Sequence, residues 1–402
     1  MEQKDILIIT NFGHNFSVKN NGRFMYLAEK LAVYQKVEIV TSDFYHVEKR
    51  HRKKREGNCP FQITFLHEPG YKKNVCFKRF FSHYIWGKNV EKYLRKRNMP
   101  DVVYCAVPSL VGAYKAARFC KRNNIKFIID IQDLWPEAFQ MVFHIPVLRE
   151  LIFAPFRLVA NSIYKSADEI CAVSQTYLER ALSVNKKCPK GHAVFLGTNL
   201  ETFDQNMKEN AIIKKDKNEV WLVYCGTLGS SYDLISVFNA LDIVKKERKK
   251  TPKFIIMGDG PKRKEFEDYA KKKKIDVQFM GRIPYEKMCG VLAACDIAVN
   301  SITHGAAQSI INKHADYVAG SLPVLNTQEC REYRDLVKSY EMGFNCKNSD
   351  SRDLAEKLYL LIQDVELREK MGRNARKCAE EKFDRKQIYI ELIEVIEGLQ
   401  KD

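Results

Sequence analysis

Val220-Trp221-Leu222-Val223-Tyr224-Cys225-Gly226-Thr227-Leu228-Gly229 reads as a buried β-strand that runs into a glycine turn. Six apolar or aromatic residues in succession have the length of a strand covered on both faces, the pattern of a parallel sheet. Beyond the turn, Leu234, Val237, Phe238, Leu241 and Val244 recur at helical spacing and give the next segment one apolar face. Lys253–Met257 then repeats the short apolar run. Strand, helix, strand in this order is a βαβ unit, with parallel strands and a right-handed crossover.

The same alternation extends in both directions. Further strands are expected at Val277–Met280, Asp296–Ser301 and Pro323–Asn326. On the other side they are expected at Ile6–Thr10, Val37–Thr41, Phe61–Phe65, Val102–Cys105, Phe127–Ile131, Glu169–Ser174 and Ala193–Leu196. Phe24, Leu27, Ala28, Leu31 and Ala32 supply the first helical face. The polar, lysine-rich stretch Gln205–Glu219 interrupts the alternation and reads as a linker. The expected organisation is α/β: a domain over 1–204, a linker over 205–219 and a second domain over 220–383. The periodic helix within 384–402 is placed against the first domain. Two doubly wound domains in series would hold a ligand in a cleft between them, at the carboxyl ends of their strands.

Composition narrows the class. The chain has 402 residues, 45% of them apolar, enough for two hydrophobic cores. It has no apolar run of the ~18–20 residues that a membrane-spanning helix needs, and Ile6–Thr10 is too short for a signal peptide. The expected location is the cytoplasm, peripheral on the inner face of the cell membrane. The twelve cysteines are scattered singly, with neither disulfide nor zinc-ligand spacing. The net charge of +17 is concentrated: residues 46–100 hold fifteen Lys/Arg against four Asp/Glu. Arg50, Arg52, Lys53, Lys54 and Arg55 form one cluster. Lys72, Lys73, Lys78 and Arg79 form another among Tyr71, Phe77, Phe80 and Phe81. Basic residues mixed with aromatics suit an anionic membrane or a phosphorylated partner, and they also suit nucleic acid or a merely solvated face.

Three turns have the chemistry to hold a phosphate. Gly226-Thr227-Leu228-Gly229 lets backbone come close to an anion before a helix start, although a tight turn capped by Ser230 or Ser231 needs no ligand. Gly258-Asp259-Gly260-Pro261 reads as a structural turn. The stretch from His304 to Val324 begins as a small-residue loop and becomes a helix of about two turns. Lys313 and Asp316, three residues apart, project from one face of that helix. The cation suits a diphosphate and the carboxylate suits ribose hydroxyls; an ordinary surface ion pair is the other reading.

This third stretch resembles the donor-binding motif of family-4 retaining glycosyltransferases of the GT-B fold: Glu, seven residues, then Glu, Ala/Tyr, Met/Leu, Ala, x, Gly, x, Pro, Val. Asn21-Gly22-Arg23 falls at the family's first glycine loop. Ser166-Ala167-Asp168 to Val173-Ser174, Leu196-Gly197-Thr198-Asn199 with Phe203, Gly258-Asp259-Gly260-Pro261 and Phe279-Met280-Gly281-Arg282-Ile283-Pro284 resemble its later landmarks in order. Lys313-x-x-Asp316-Tyr317 and Gln132-Asp133-Leu134-Trp135-Pro136-Glu137 are similar to the bacterial capsular, exopolysaccharide and O-antigen branch. The resemblance implies two Rossmann-like domains and a nucleotide-diphosphate sugar donor, with UDP expected. It places Asp316 on the ribose and Gln308 on the sugar. Arg282 and Ile283 fall at the base, and Gly226, Thr227, Ser309, Ile310, Ile311 and Lys313 at the diphosphate. Two departures stand out. Gly226-Thr227-Leu228 with Tyr232-Asp233 lacks both cations that usually grip the diphosphate, and Gln132 stands where relatives carry a sugar-contacting His.

The implied reaction retains anomeric configuration. Lys313 and the N–H groups of Ser309 to Ile311 would stabilise charge developing on the leaving phosphate, with no metal or other cofactor expected. Asp133 is a candidate base or acceptor-orienting group, or simply a carboxylate bonded to its own turn. Gly22, Arg23, His67, Glu68 and His83 are placed on the acceptor side. The partners expected are the nucleotide sugar, a lipid-linked saccharide acceptor and an anionic membrane, with no nucleic acid. Competing classes are a sugar-nucleotide 2-epimerase, which would need no acceptor, and a basic nucleic-acid-binding protein, whose affinity would fall steeply with salt.

Overall fold

Runs of apolar residues that end on polar or glycine turns build two parallel sheets, each assembled from strand–helix repeats. The computed structural model describes residues 3–13, 22–52, 59–74, 76–140, 146–211, 215–216, 219–248, 251–305, 310 and 312–399. The chain divides into two compact units, Met1–Phe195 with Tyr389–Asp402, and Leu196–Ile388.

The first unit contains β1 Asp5–Thr10, β2 Lys36–Ser42, β3 Phe44–Tyr45, β4 Arg50–His51, β5 Gln62–Leu66, β6 Val102–Val107, β7 Lys126–Ile131, β8 Glu169–Ala172 and β9 His192–Ala193. Seven of these form a parallel sheet in the order β5-β2-β1-β6-β7-β8-β9; β3 and β4 make a separate antiparallel hairpin. The chain leaves β1 first towards β2 and later towards β6, so the order reverses between β1 and β6. The hairpin was not legible as strands, since each of its arms is two residues long.

The second unit contains β10 Trp221–Cys225, β11 Lys253–Met257, β12 Val277–Gly281, β13 Ile297–Asn300, β14 Val324–Asn326 and β15 Gly343–Asn345. Its parallel order is β12-β11-β10-β13-β14-β15, reversing between β10 and β13. Every residue of β10 is buried. The helix Leu234–Arg248 lays Leu234, Val237, Phe238, Leu241 and Val244 into a core with Leu222, Tyr224, Phe254 and Ile256. β15 escapes sequence reading because Gly343-Phe344-Asn345 is short and half-buried.

The segment expected as a linker is in part helical. Leu200–Glu209 forms a helix whose N-cap, Asn199, accepts from the Thr202 N–H at 3.1 Å. Arg376 fixes it to the second unit through Asp204, at 2.7 and 2.8 Å. The preceding residues are held there too: Arg385 donates to the carbonyls of Leu196 and Gly197, both at 2.8 Å. The terminal helix Arg385–Glu397 begins in the second unit and continues into the first.

Candidate active site

In a doubly wound sheet the loops at the reversal of strand order diverge and leave room for a ligand. In the second unit those loops follow β10 and β13. Gly226, directly after β10, has φ +145°, as does Gly258 after β11. The two turns abut: a Cβ on Gly258 would stand 1.8 Å from the Gly226 carbonyl oxygen, and one on Gly260 would stand 2.3 Å from that of Leu228. Gly226 N–H donates to Met257 and Leu228 N–H to Asp259, at 2.9 and 3.0 Å. Gly258-Asp259-Gly260 is therefore a buttress for the first loop. The loop after β13 is tied in by Thr303, whose N–H and hydroxyl donate to Ser231 and Ser230 carbonyls at 3.0 and 2.9 Å.

The helix Lys313–Ala319 lies against this reversal. The Cys225 N–H donates to the Tyr317 hydroxyl at 2.7 Å, fastening the helix to the end of β10. One turn earlier, the Lys313 ammonium sits 4.3 Å from the Tyr224 ring centroid and 4.5 Å from that of Tyr232. Lys313 is only 8% exposed, and its Nζ has no hydrogen-bond partner among the described residues. Burial pushes its pKa down to about 7. Aromatic faces offset part of this desolvation through cation–π attraction, but an anion would offset far more. The tyrosines were not singled out in the sequence; Tyr232 stands near where the family's cation is missing.

Asp316 faces a different set of groups. Its Oδ1 accepts from the Tyr285 hydroxyl at 2.9 Å, and that hydroxyl also meets Thr198 Oγ1 at 2.8 Å. Burial raises the Asp316 pKa to about 6, opposed by the hydrogen bond from Tyr285 and the charge of Arg385. Lys313 and Asp316 are thus not an ion pair; burial shifts each of them towards its neutral form. Thr227 contributes its carbonyl, which accepts from the Tyr224 hydroxyl at 2.9 Å. Arg282 is exposed and Ile283 half-buried just after β12. Ile310 is buried. Gln308, Ser309 and Ile311 lie outside the described residues.

The acceptor-side candidates lie in the first unit, most of them buried. Arg23 is 2% exposed and forms a bidentate pair with Asp130 at 2.8 and 3.0 Å. It also donates to the carbonyls of Val194 and Phe195 and lies over the Tyr389 ring. It is an internal brace, placed there because Gly22 is the N-cap of its helix and the side chain turns onto the sheet. Glu68 is buried as well, accepting from Asn11 and Ser82, both at 2.8 Å. Arg79 leaves the surface cluster and packs its guanidinium 4.6 Å from the Trp135 ring centroid. His83 stacks on Trp135, and burial with the nearby Arg79 charge lowers its pKa to about 3. His67 is exposed and bonded to Asp43 at 3.0 Å.

Asp133 follows β7 and has both oxygens engaged, by Trp135 Nε1 at 3.1 Å, the Leu134 N–H at 2.9 Å and the Tyr177 hydroxyl at 3.4 Å. Burial raises its pKa despite these donors. Gln132, beside it, is half-buried. Sequence reading thus found the second-unit helix and the Asp133 turn, but it misjudged which polar residues between 22 and 83 reach a surface.

Residues 205–378 match the family model described as Glycosyl transferases group 1. The matched segment contains the abutting glycine turns, both tyrosines and the helix with Lys313. Among curated proteins, the chain is 23% identical over 252 residues to the uncharacterized glycosyltransferase MJ1069 of Methanocaldococcus jannaschii, covering 60% of this chain and 62% of that protein. It is 27% identical over 165 residues to a Campylobacter jejuni GalNAc-alpha-(1->4)-GalNAc-alpha-(1->3)-diNAcBac-PP-undecaprenol alpha-1,4-N-acetyl-D-galactosaminyltransferase, covering 40% and 43%. The matches thus span 62% and 43% of the lengths of these curated relatives. The solved structure of HepE from Anabaena in complex with UDP has a TM-score of 0.69 at 13% identity, covering 98% of this chain and all of that one. The fold of the chain is GT-B, with two α/β units built on parallel sheets.

Proposed function

We propose that this protein is a retaining glycosyltransferase that takes a sugar from a UDP-sugar held in the second unit and passes it to a lipid-linked saccharide. The observation that carries this reading is the buried Lys313 ammonium between Tyr224 and Tyr232, beside the glycine turn at the β10/β13 reversal. A diphosphate there meets a cation already stripped of water, where Coulomb attraction is strongest. The nucleotide's ribose falls to Asp316, its base to the backbone near Arg282 and Ile283, and its sugar to Gln308. As the bond to the diphosphate stretches, Lys313 stabilises the leaving charge more than the ground state, which is the condition for lowering the barrier. The leaving phosphate oxygen takes the acceptor proton in a front-face attack. Asp133 orients the acceptor rather than receiving that proton, because both of its oxygens are already bonded to its own turn. No metal is needed in this scheme.

The relative that acts on an undecaprenol-linked saccharide supports a lipid-linked acceptor. So does the surface of the first unit. Phe77 is 93% exposed, with Phe81 and Tyr84 beside it on the helix Phe77–Leu94 and Lys72, Lys73 and Lys78 nearby. Leu151 and Leu158 are exposed on the helix Pro146–Ser166, which meets the first helix through Phe80 and Phe156, 5.5 Å apart. Exposed apolar side chains rimmed by lysines suit the headgroup layer of an anionic membrane. No helix among the described residues is long and apolar enough to cross one.

A thermal-shift panel of UDP, GDP, dTDP and CMP sugars tests the donor assignment, since a ligand that binds only the folded state raises the melting temperature. UDP-sugars are expected to shift the wild type and to lose that effect in Asp316→Ala. No shift with any nucleotide sugar would refute the donor site; release of altered sugar without acceptor would indicate an epimerase.

A further inference from the structure

Away from the donor unit, three side chains from separate parts of the first unit converge at the carboxyl edge of its sheet. Asp43 follows β2, His51 lies on β4 and His67 follows β5. One donor atom from each lies within 4.8 Å of the others. His51 Nδ1 is 3.4 Å from Asp43 Oδ1, and His67 Nδ1 is 3.0 Å from Asp43 Oδ2. The two imidazole rings are nearly parallel, 10° apart with centroids at 5.8 Å, so both present the same nitrogen to the same carboxylate.

We propose that Asp43, His51 and His67 bind a divalent transition-metal ion of the Zn2+ type. Zinc sits about 2.0–2.1 Å from nitrogen and oxygen ligands in a tetrahedron, which sets its donors roughly 3.3 Å apart. Each imidazole nitrogen lies near that edge length from one oxygen of the Asp43 carboxylate, His51 from Oδ1 and His67 from Oδ2, and one donor atom from each of the three residues falls within 4.8 Å of the other two. Two imidazoles and one carboxylate select zinc, nickel or cobalt over magnesium and calcium, which prefer oxygen alone. Without the ion, His67 Nδ1 is hydrogen-bonded to Asp43 Oδ2 at 3.0 Å and His51 Nδ1 stands 3.4 Å from Asp43 Oδ1.

The ligands are held from behind. The Glu68 N–H donates to Asp43 Oδ1 at 2.7 Å, the Asp43 carbonyl accepts from the Arg52 N–H at 2.6 Å, and the His67 carbonyl accepts from Asn89 Nδ2 at 2.9 Å. Such supports fix ligand orientation before metal arrives. Asp43 is half-buried and both histidines are exposed, so the fourth position opens to solvent. The ion would clamp the β3–β4 hairpin to the end of β5. That hairpin carries Lys49, which lies over Tyr71 and donates to Asn74 at 2.6 Å, so the clamp would fix the rim of the cluster around Tyr71 and Arg79. The site does not depend on the donor assignment.

The test is titration of EDTA-treated full-length protein with Co2+, followed by absorption. The expected result is a saturable visible d–d band at one equivalent, with no thiolate charge-transfer band in the near ultraviolet. It should be displaced by Zn2+ and lost in both His51→Ala and His67→Ala. Melting temperatures of these variants in EDTA should match the wild type, because both side chains are exposed. Absence of a band in the wild type, a band undiminished in both variants, or a thiolate band removed by Cys59→Ser would overturn the site.

Discussion

At the scale of single residues, the proposed donor site rests on Lys313 and Asp316 and on the cost of burying them. Lysine ordinarily titrates at about 10.4, and burial lowers Lys313 to about 7. The unfolded chain therefore holds a proton that the folded one lacks between these values, so the cost of burying the charge is greatest below pH 7 and is relieved as pH rises. A diphosphate reverses the balance by favouring the charged form. UDP affinity is expected to fall about tenfold per pH unit above 7 as Lys313 loses its proton, as a titration series between pH 7 and 9 would show. Asp316 carries the opposite sign. Its pKa is raised to about 6, so its cost is present above that value and vanishes towards pH 4. Asp316→Asn is expected to gain about 1–2 kcal/mol at pH 8 while weakening UDP binding. Denaturant unfolding and nucleotide titration on the same variant check both halves. These two residues were legible as a spaced pair, but their environment was not. Tyr224 reads only as a strand residue, and the approach of Tyr232 depends on a loop whose path the sequence does not reveal.

At the scale of elements, the glycine turns explain why the loop after β10 can approach a ligand. Gly258 has both a positive φ and no room for a Cβ against the Gly226 carbonyl. Gly258→Ala is expected to destabilise the protein by about 2–3 kcal/mol, measured by denaturant unfolding, and to weaken UDP binding through the displaced loop. The strands flanking these turns were readable because each is a continuous apolar run, as Trp221–Cys225 and Lys253–Met257 show. The helix Leu200–Glu209 was missed for a physical reason. Its sequence is mostly polar, with Leu200 and Phe203 alone buried, so its stability comes from the Asn199 cap and the Arg376–Asp204 pair rather than from periodicity.

At the scale of the whole molecule, the two-domain α/β architecture follows from the alternation of strands and helices, while the fate of long charged residues does not. Arg23 and Arg79 are buried, because partners far along the chain receive them: Asp130 for Arg23, Trp135 for Arg79. Arg23→Met leaves Asp130 buried without its cation and is expected to cost about 3–5 kcal/mol, visible as a lowered denaturation midpoint. Lys72, Lys73 and Lys78 remain exposed with Phe77 and Phe81. Replacing both phenylalanines by Ser is expected to reduce sedimentation with anionic liposomes while leaving UDP binding unchanged. Equal sedimentation would remove the membrane from the account.

The central claim is that Lys313, poised near neutrality, is the cation that receives the donor diphosphate. Calorimetric titration of UDP at pH 8, repeated in buffers of different ionisation enthalpy, counts the protons taken up on binding. Uptake of about one proton per UDP is expected in the wild type, with weakened binding and no uptake in Lys313→Met. Tight UDP binding without proton uptake, unchanged by that substitution, would contradict it.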